Sequence, residues 1–121
     1  SPLAGGVLTG KYANGARPAG ARFTTYLEAG PRQQAMATRF VNPQSLAATD
    51  RFAEIARDAG LSLTTLATAW SKQHDFVAST IVGATRVEQL DDILAAADVT
   101  LDADTLARID AVSREIRYPM G

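Results

Sequence analysis

A chain of 121 residues is long enough for one domain with a single hydrophobic core. Its 12 Lys and Arg against 13 Asp and Glu leave a net charge of −1, which supplies no overall field for attracting nucleic acid or an anionic membrane. No apolar run approaches the roughly 20 residues that cross a bilayer. With no cysteine and one histidine, disulfides, thiolate nucleophiles and clustered Cys or His metal sites are excluded.

The first 42 residues are predicted to be a long loop. They carry six of the nine glycines and show no sustained helical or strand periodicity. A connection of this length in a compact domain is usually either a functional lid or disordered, and we interpret it as a lid.

The start, Ser1-Pro2-Leu3, lacks an initiator Met and the basic and apolar regions of a secretory signal. We therefore expect a sequence that begins mid-gene and a cytoplasmic protein.

Two helices are predicted between Asn42 and Asp75. Asn42-Pro43 offers an N-cap followed by a first-turn proline, and Gly60 ends that helix. Ser62 can cap a second, short helix that ends before the polar residues 72–75. The apolar residues expected to face the core are Ala48, Phe52, Ile55 and Ala59 on the first helix and Leu63, Leu66, Ala67 and Trp70 on the second.

A buried strand and two more helices are predicted downstream. Residues 76–82 form a short β-branched apolar run ended by Gly83, which is typical of a parallel strand covered on both faces. Thr85 and Glu88 have the spacing of a capping box for a third helix, and Asp102 can cap a fourth. The expected inner faces are Val87, Leu90, Leu94 and Ala97 on the third helix and Leu106, Ile109 and Ile116 on the fourth. Because one or two parallel strands cannot form a covered sheet, we expect further strands upstream of this sequence.

The junction of the predicted strand with the third helix, residues 82–86, is a candidate phosphate site. Gly83 lets the backbone approach a ligand closely, and the N–H groups and dipole of a helix start attract an anion. Arg86 can bind a second phosphate through its guanidinium, and Gln89 and Asp92 lie on nearby turns. The same residues also fit a well-capped helix after an ordinary strand, so this junction alone leaves both interpretations open.

Other polar residues have less specific patterns. Lys11, Arg17 and Arg22 form a basic series that can either cover a phosphate or be solvated. The glycine-rich residues 1–12 resemble a phosphate loop in composition, but their spacing fits neither a Walker A loop nor a dinucleotide-binding GxGxxG motif. We interpret His74 as a helix-end histidine and not as a general base. A helix-turn-helix over residues 61–90 is an alternative, but residues 76–85 contain no Lys or Arg to contact DNA.

Three stretches of the sequence resemble the aldo-keto reductase family. They are SPLAGGVLTGKY at residues 1–12, GARF at residues 20–23 and VGATRVEQL at residues 82–90. They look like the signatures that follow the seventh and eighth strands in this family, within its branch of Tas-like and voltage-gated-channel β-subunit-like proteins. The resemblance runs the whole chain and includes the ending at residues 116–119.

The resemblance implies an α/β fold, the C-terminal portion of a (β/α)8 TIM barrel, because a complete barrel needs about 250 residues. Residues 1–121 would be one piece of one barrel. Residues 1–42 would be the end of strand 7 and a cofactor-covering loop, and residues 43–121 would hold helices, strand 8, helix 8 and a C-terminal helix. The implied activity is reduction of aldehydes or ketones by hydride transfer from NADPH, with a small carbonyl compound as the substrate of the complete protein.

The resemblance also implies a cofactor site. Its pyrophosphate and ribose would be lined by the first segment, its phosphates held by two lid cations, and its 2′-phosphate and adenine surrounded by the junction before the third helix. These residues are Ser1, Leu3, Ala4, Gly5 and Gly6; Lys11 and Arg22; and Gly83, Thr85, Arg86, Gln89 and Asp92. At Ile93 the family usually has an asparagine facing the adenine, so adenine recognition is expected to differ.

The catalytic Asp, Tyr, Lys and His of the family have no matching positions here. The chain alone is therefore predicted to be inactive, with no catalytic residue and no metal. The alternative interpretation is a catalytically silent nucleotide-binding or scaffold piece, and the DNA-binding interpretation is a more distant one.

Overall fold

The computed structural model describes residues 1–120, and this part of the chain is helical, without a β-strand. Two short 3₁₀ segments, Ala4–Thr9 and Ala13–Gly15, come before six α-helices, and a third, Ala96–Asp98, follows the fifth helix. The α-helices are α1 (Arg22–Leu27), α2 (Pro31–Phe40), α3 (Pro43–Asp58), α4 (Leu63–Lys72), α5 (Glu88–Ala95) and α6 (Ala103–Glu115). None of the helices in residues 1–120 has the length and apolar character that crossing a bilayer requires.

The predicted N-caps of three helices are confirmed. Asn42, Ser62 and Asp102 each accept hydrogen bonds from backbone N–H groups in the first turn of α3, α4 and α6, at distances of 2.8 to 3.0 Å. Each such cap contributes about 1 kcal/mol. Gly60, with φ of +69°, ends α3 in the left-handed conformation that favours glycine. These helices are specified by residues next to their own ends.

The main core lies where α3, α4 and α6 meet. Its buried residues are Ala48, Ile55, Ala56, Leu66, Ala69, Ala96, Leu101, Ile109 and Val112. The end of α4 is joined to the segment before α6 by Gln73, whose side-chain amide exchanges two hydrogen bonds with the backbone of Leu101, at 2.7 and 2.8 Å. The three helices therefore form a bundle with its own interior, which we call the bundle.

The prediction that residues 1–42 are a loop is wrong, because they form α1, α2 and two 3₁₀ segments around a second, smaller core. Val7, Tyr12, Phe23 and Ala37 are buried there. The rings of Phe23 and Phe40 stack with their centroids 5.0 Å apart. The helices α1 and α2 are six and ten residues long and bury one residue each, Phe23 and Ala37.

The C-terminal residues are tied to the corner between α2 and α3. The Asn42 side chain donates to the backbone oxygen of Pro119 at 2.7 Å, and Arg39 Nε donates to that of Met120, also at 2.7 Å. Asn42 therefore caps α3 with its oxygen and holds the end of the described chain with its nitrogen.

The predicted strand at residues 76–82 is wrong, as is the strand end expected at residues 1–4. Residues 78–84 make no backbone–backbone hydrogen bond within the described chain. A strand requires a neighbour, and residues 1–120 contain no other extended segment that pairs with this one. As a result Phe76 and Ile81, predicted to be covered, are each 85% exposed.

The helix α5 also departs from its prediction. The capping box does not form: α5 begins at Glu88, and Gln89 Oε1 accepts the Thr85 N–H at 2.9 Å. The predicted inner face is wrong too, because Val87 and Leu94 are 74% and 62% exposed while Ile93 is buried. In this chain α5 packs on α4, and of the large apolar residues predicted to be covered Leu90 is half-buried while Val87 and Leu94 stay exposed. Three other residues predicted to face the core, Ala59, Trp70 and Ala97, are exposed as well.

Candidate functional site: a basic cleft beside two glycines

A cleft of about 750 Å³ opens between the first segment, the turn at residues 18–22 and the segment that leads into α5. Of the twelve residues expected at a cofactor, eleven line this cleft. They are Ser1, Leu3, Gly5, Gly6, Lys11, Arg22, Gly83, Thr85, Arg86, Gln89 and Asp92. Ala4 is the one that does not, and its φ of +48° belongs to the turn that precedes the two glycines. The fold thus brings together two stretches about 60 residues apart in sequence.

Two cations lie directly over the glycines of the first segment. A Cβ atom on Gly6 would come within 2.8 Å of Lys11 Nζ, and one on Gly5 would lie 3.8 Å from Arg22 Nη1. Gly5 and Gly6 have φ of +67° and +100°, which other residues rarely adopt. A glycine at each position therefore allows the turn, and the missing side chain leaves space for the Phe23 ring beside Gly5 and for the Lys11 ammonium beside Gly6.

The cleft concentrates positive charge. Burial lowers the pKa of Lys11, and the nearby positive charges of Arg22 and then Arg86 lower that pKa further. Among residues 1–120, no carboxylate forms an ion pair with any of these three side chains. Three cations held close enough to interact, without a carboxylate partner, form a site whose repulsion an anion would relieve.

The start of α5 contributes to this cleft mainly through side chains. Glu88 and Asp91 lie in its first turn, where they offset the positive end of the helix dipole. The attraction for an anion on this side therefore comes from Arg86. A Cβ on Gly83 would meet no atom within 4 Å, so no contact inside the chain requires glycine there.

Gln89 and Asp92 are held by different contacts. Gln89 uses its side-chain oxygen to accept from the N–H and hydroxyl of Thr85, at 2.9 and 3.3 Å, which directs its NH₂ group elsewhere. The backbone oxygen of Asp92 accepts from the Thr65 hydroxyl at 2.8 Å, and this bond ties α5 to α4. Ile93, at the position where an asparagine is usual, is buried and also borders the cleft.

Several cleft residues were not expected from the sequence. Thr9 borders the cleft and donates through its hydroxyl to the Gly6 oxygen at 2.9 Å, closing the glycine turn. Thr64 lies on α4 and borders the cleft because α4 packs beside both α5 and the first 3₁₀ segment. A capped glycine turn gives a sequence signal for Thr9, whereas nothing local marks Thr64.

Other singled-out residues lie away from the cleft. Arg17, the remaining cation of the basic series, is exposed and does not line it. His74 also lies outside and contacts two aromatic rings, with centroid distances of 4.4 Å to Trp70 and 5.1 Å to Phe76. In the part of the chain that the structure describes, no group of three His, Cys, Asp or Glu side chains is arranged to hold a metal ion.

Comparison with known proteins adds a family. The model of the "Aldo/keto reductase family" matches residues 1–114. Protein tas of Escherichia coli (strain K12) is 40% identical over 119 residues, which are 98% of this chain and 32% of that protein. A probable voltage-gated potassium channel subunit beta of Oryza sativa subsp. japonica is 40% identical over 114 residues, 93% of this chain and 33% of that protein.

A third relative is named for an enzymatic activity. The L-glyceraldehyde 3-phosphate reductase of Escherichia coli (strain K12) is 32% identical over 111 residues, which are 91% of this chain and 31% of that protein. The chain therefore spans about a third of the length of these curated relatives.

Proposed function

This chain belongs to the aldo/keto reductase family, and we propose that it is the cofactor-binding C-terminal part of an oxidoreductase that reduces aldehydes or ketones with NADPH. The family implies a TIM barrel. Two facts support a C-terminal portion of that barrel: the chain spans a third of its relatives' length, and residues 76–82 are an apolar run without a strand partner. The named activity of the L-glyceraldehyde 3-phosphate reductase supports carbonyl reduction.

The observation that carries this proposal is the convergence of Lys11, Arg22 and Arg86 in one cleft without a carboxylate partner. NADPH carries a pyrophosphate and a 2′-phosphate, so its charge suits this arrangement. Lys11 and Arg22, over the two glycines, would hold the pyrophosphate, and Arg86 would bind the 2′-phosphate through its planar guanidinium. The NH₂ group of Gln89 and the carboxylate of Asp92 would contact the adenosine. When bound, the nicotinamide of this cofactor supplies a hydride.

The same geometry supports the inactivity of the chain by itself. Carbonyl reduction needs a proton donor beside the substrate oxygen. Tyr12 is 2% exposed and its hydroxyl accepts the Phe23 N–H, so it cannot reach a substrate. His74 lies among aromatic rings away from the cleft. We propose that the proton donor belongs to the remainder of the barrel.

Two proteins test this function: the 121-residue chain, and a full-length barrel in which this sequence replaces the aligned residues of protein tas. Calorimetric titration of the barrel with 2′,5′-ADP and 5′-AMP should give binding, tighter for 2′,5′-ADP. The barrel should oxidise NADPH with 4-nitrobenzaldehyde, and the chain alone should not exceed the rate without protein. A barrel that folds but binds neither nucleotide would overturn the proposal, and turnover by the chain alone would overturn its inactivity.

A further inference from the structure

We propose that Tyr12 is a positioning residue of the cleft: its hydroxyl caps α1 from a distance and thereby fixes the place of Arg22. The inference rests on the proposed function, because the place of Arg22 matters for affinity only if the cleft binds a phosphate-bearing cofactor. It concerns a buried side chain that does not line the cleft.

The first support is the hydrogen bond at the start of α1. The Tyr12 oxygen accepts the Phe23 N–H at 3.1 Å in a buried environment. The N-cap residue of α1 is Ala21, which has no side-chain acceptor, so the helix lacks a cap of its own. A hydroxyl eleven residues away in sequence therefore takes the capping role that Asn42, Ser62 and Asp102 have at α3, α4 and α6.

The second support is the packing around Phe23. Its ring lies 5.8 Å from that of Tyr12 and 5.0 Å from that of Phe40, measured between centroids. A Cβ on Gly5 would lie 2.7 Å from Phe23 Cζ, so the ring rests directly on the glycine turn. Tyr12 and Phe23 thus connect the glycine turn to α1.

The third support is the position of the cations beside this pair. Lys11 precedes Tyr12, and its Nζ lies 5.4 Å from the Tyr12 ring centroid. Arg22 precedes Phe23, so the capping bond is made one residue from the Arg22 backbone. A helix of six residues does not hold itself together in water. Without its cap the first turn of α1 would fray, and Arg22 would no longer be held over Gly5.

The test is a double-mutant cycle in the tas-based barrel, followed by NADPH fluorescence. Tyr12→Phe keeps the ring and removes only the acceptor, and it should weaken NADPH binding about 3- to 10-fold, the range for loss of one neutral hydrogen bond. In an Arg22→Ala background the same substitution should have no further effect. Equal weakening in both backgrounds would mean that Tyr12 supports only the fold, and would overturn the proposal.

A matched control is available on α1 itself. The Tyr26 ring lies 6.0 Å from that of Phe23, and within residues 1–120 its hydroxyl has no hydrogen-bond partner. Tyr26→Phe should therefore leave NADPH affinity unchanged. If it weakens affinity as much as Tyr12→Phe, the capping bond is not the cause.

Amide hydrogen exchange gives a measurement that needs no ligand. Tyr12→Phe should raise the exchange rate of the Phe23 amide about 3- to 10-fold and leave the first turn of α3 unchanged. Unchanged exchange at Phe23 would overturn the capping. If the unsubstituted barrel binds no NADPH, the proposed function fails together with the effect on affinity, and the exchange rate alone decides whether Tyr12 caps α1.

Discussion

The bundle and the segment at residues 76–94 are both rich in apolar side chains, but the bundle buries most of them and the segment leaves most of them exposed. In the bundle Leu66 and Ile109 are buried among α3, α4 and α6. In the second region, which we call the open segment, Ile81 and Leu94 are mostly exposed, although Ile93 packs inward. The cleft lies between this open segment and the first 22 residues, beside the second core, and Thr64 of α4 borders it from the bundle. The main core and most of the proposed binding site therefore lie in different parts of the chain, and four predictions test this division.

The largest expected effect is on the free energy of unfolding of the 121-residue chain. Leu66→Ala should reduce it by about 2–5 kcal/mol, because Leu66 is 2% exposed and its loss leaves a cavity. Ile81→Ala should change it by less than about 0.5 kcal/mol, since no packing is lost at an exposed site. Urea unfolding followed by circular dichroism measures both, at a concentration low enough for the chain to be monomeric. Comparable losses from the two substitutions would mean that the open segment is folded against the bundle.

The next effect concerns the cofactor in the tas-based barrel. Arg86→Ala should weaken NADPH binding about 10- to 150-fold, since a hydrogen bond to a charged group contributes about 1.5 to 3 kcal/mol. NADH, which lacks the 2′-phosphate, should be nearly unaffected. Arg17→Ala is the control, because Arg17 is an exposed cation outside the cleft. Fluorescence titration that gives equal losses for both cofactors would assign Arg86 to the fold alone.

The third effect is on the self-association of the chain through the exposed apolar residues of the open segment. The isolated chain should self-associate, because residues 78–84 have unpaired backbone groups and Ile81 is 85% exposed. Ile81→Ser should weaken the association about tenfold through lost apolar burial. Light scattering with size exclusion over a range of concentrations measures this. A monomer that melts cooperatively at all concentrations would contradict the prediction.

The smallest effect is on the pH dependence of stability. The pKa of Lys11 is lowered in the folded chain by burial and by the charges of Arg22 and Arg86, so its charged form opposes folding at pH 7. This cost disappears as the pH rises through the folded pKa toward the ordinary pKa of a lysine. Lys11→Gln should raise the Tm at pH 7 by roughly 1–3 °C, the effect of removing a solvent-screened charge repulsion, and show a smaller rise in Tm between pH 7 and pH 10. Lys11→Arg, which keeps the charge, should give no such gain. Calorimetric melting at both pH values checks this, and a lower Tm for Lys11→Gln would contradict it.

The parts of the fold that could be predicted are those specified locally. Asn42, Ser62 and Asp102 sit at the ends of the helices they cap, so sequence spacing alone locates α3, α4 and α6. In contrast α1 is capped by Tyr12, which no local pattern connects to it. The strand expected at residues 76–82 depends on neighbouring strands that residues 1–120 do not supply.

The candidate site shows the same difference between residues that lie in a local sequence motif and residues that depend on packing. Its residues in the motifs at 1–22 and 82–92 could be proposed from resemblance, and the structure brings all but Ala4 of them to one cleft. Thr64 could not be proposed, because it enters the cleft through the packing of α4. The inner face of α5 was mispredicted for a related reason. Apolar spacing identifies the face of a helix that would be buried by a packing partner, but it does not show whether this chain contains that partner.

Substitutions at the two adjacent glycines, Gly5 and Gly6, should have different consequences. An alanine at Gly5 would clash with the buried Phe23 ring, which cannot move without disturbing the second core. A substitution at Gly5 would therefore destabilise the fold. An alanine at Gly6 meets the end of the flexible Lys11 side chain, which can swing away at the expense of the proposed anion site. Both substitutions carry the cost of a left-handed backbone. In a relative that lost the proposed cofactor binding, Gly6 would be substituted before Gly5, and a substituted Gly6 beside an intact Gly5 would indicate that loss.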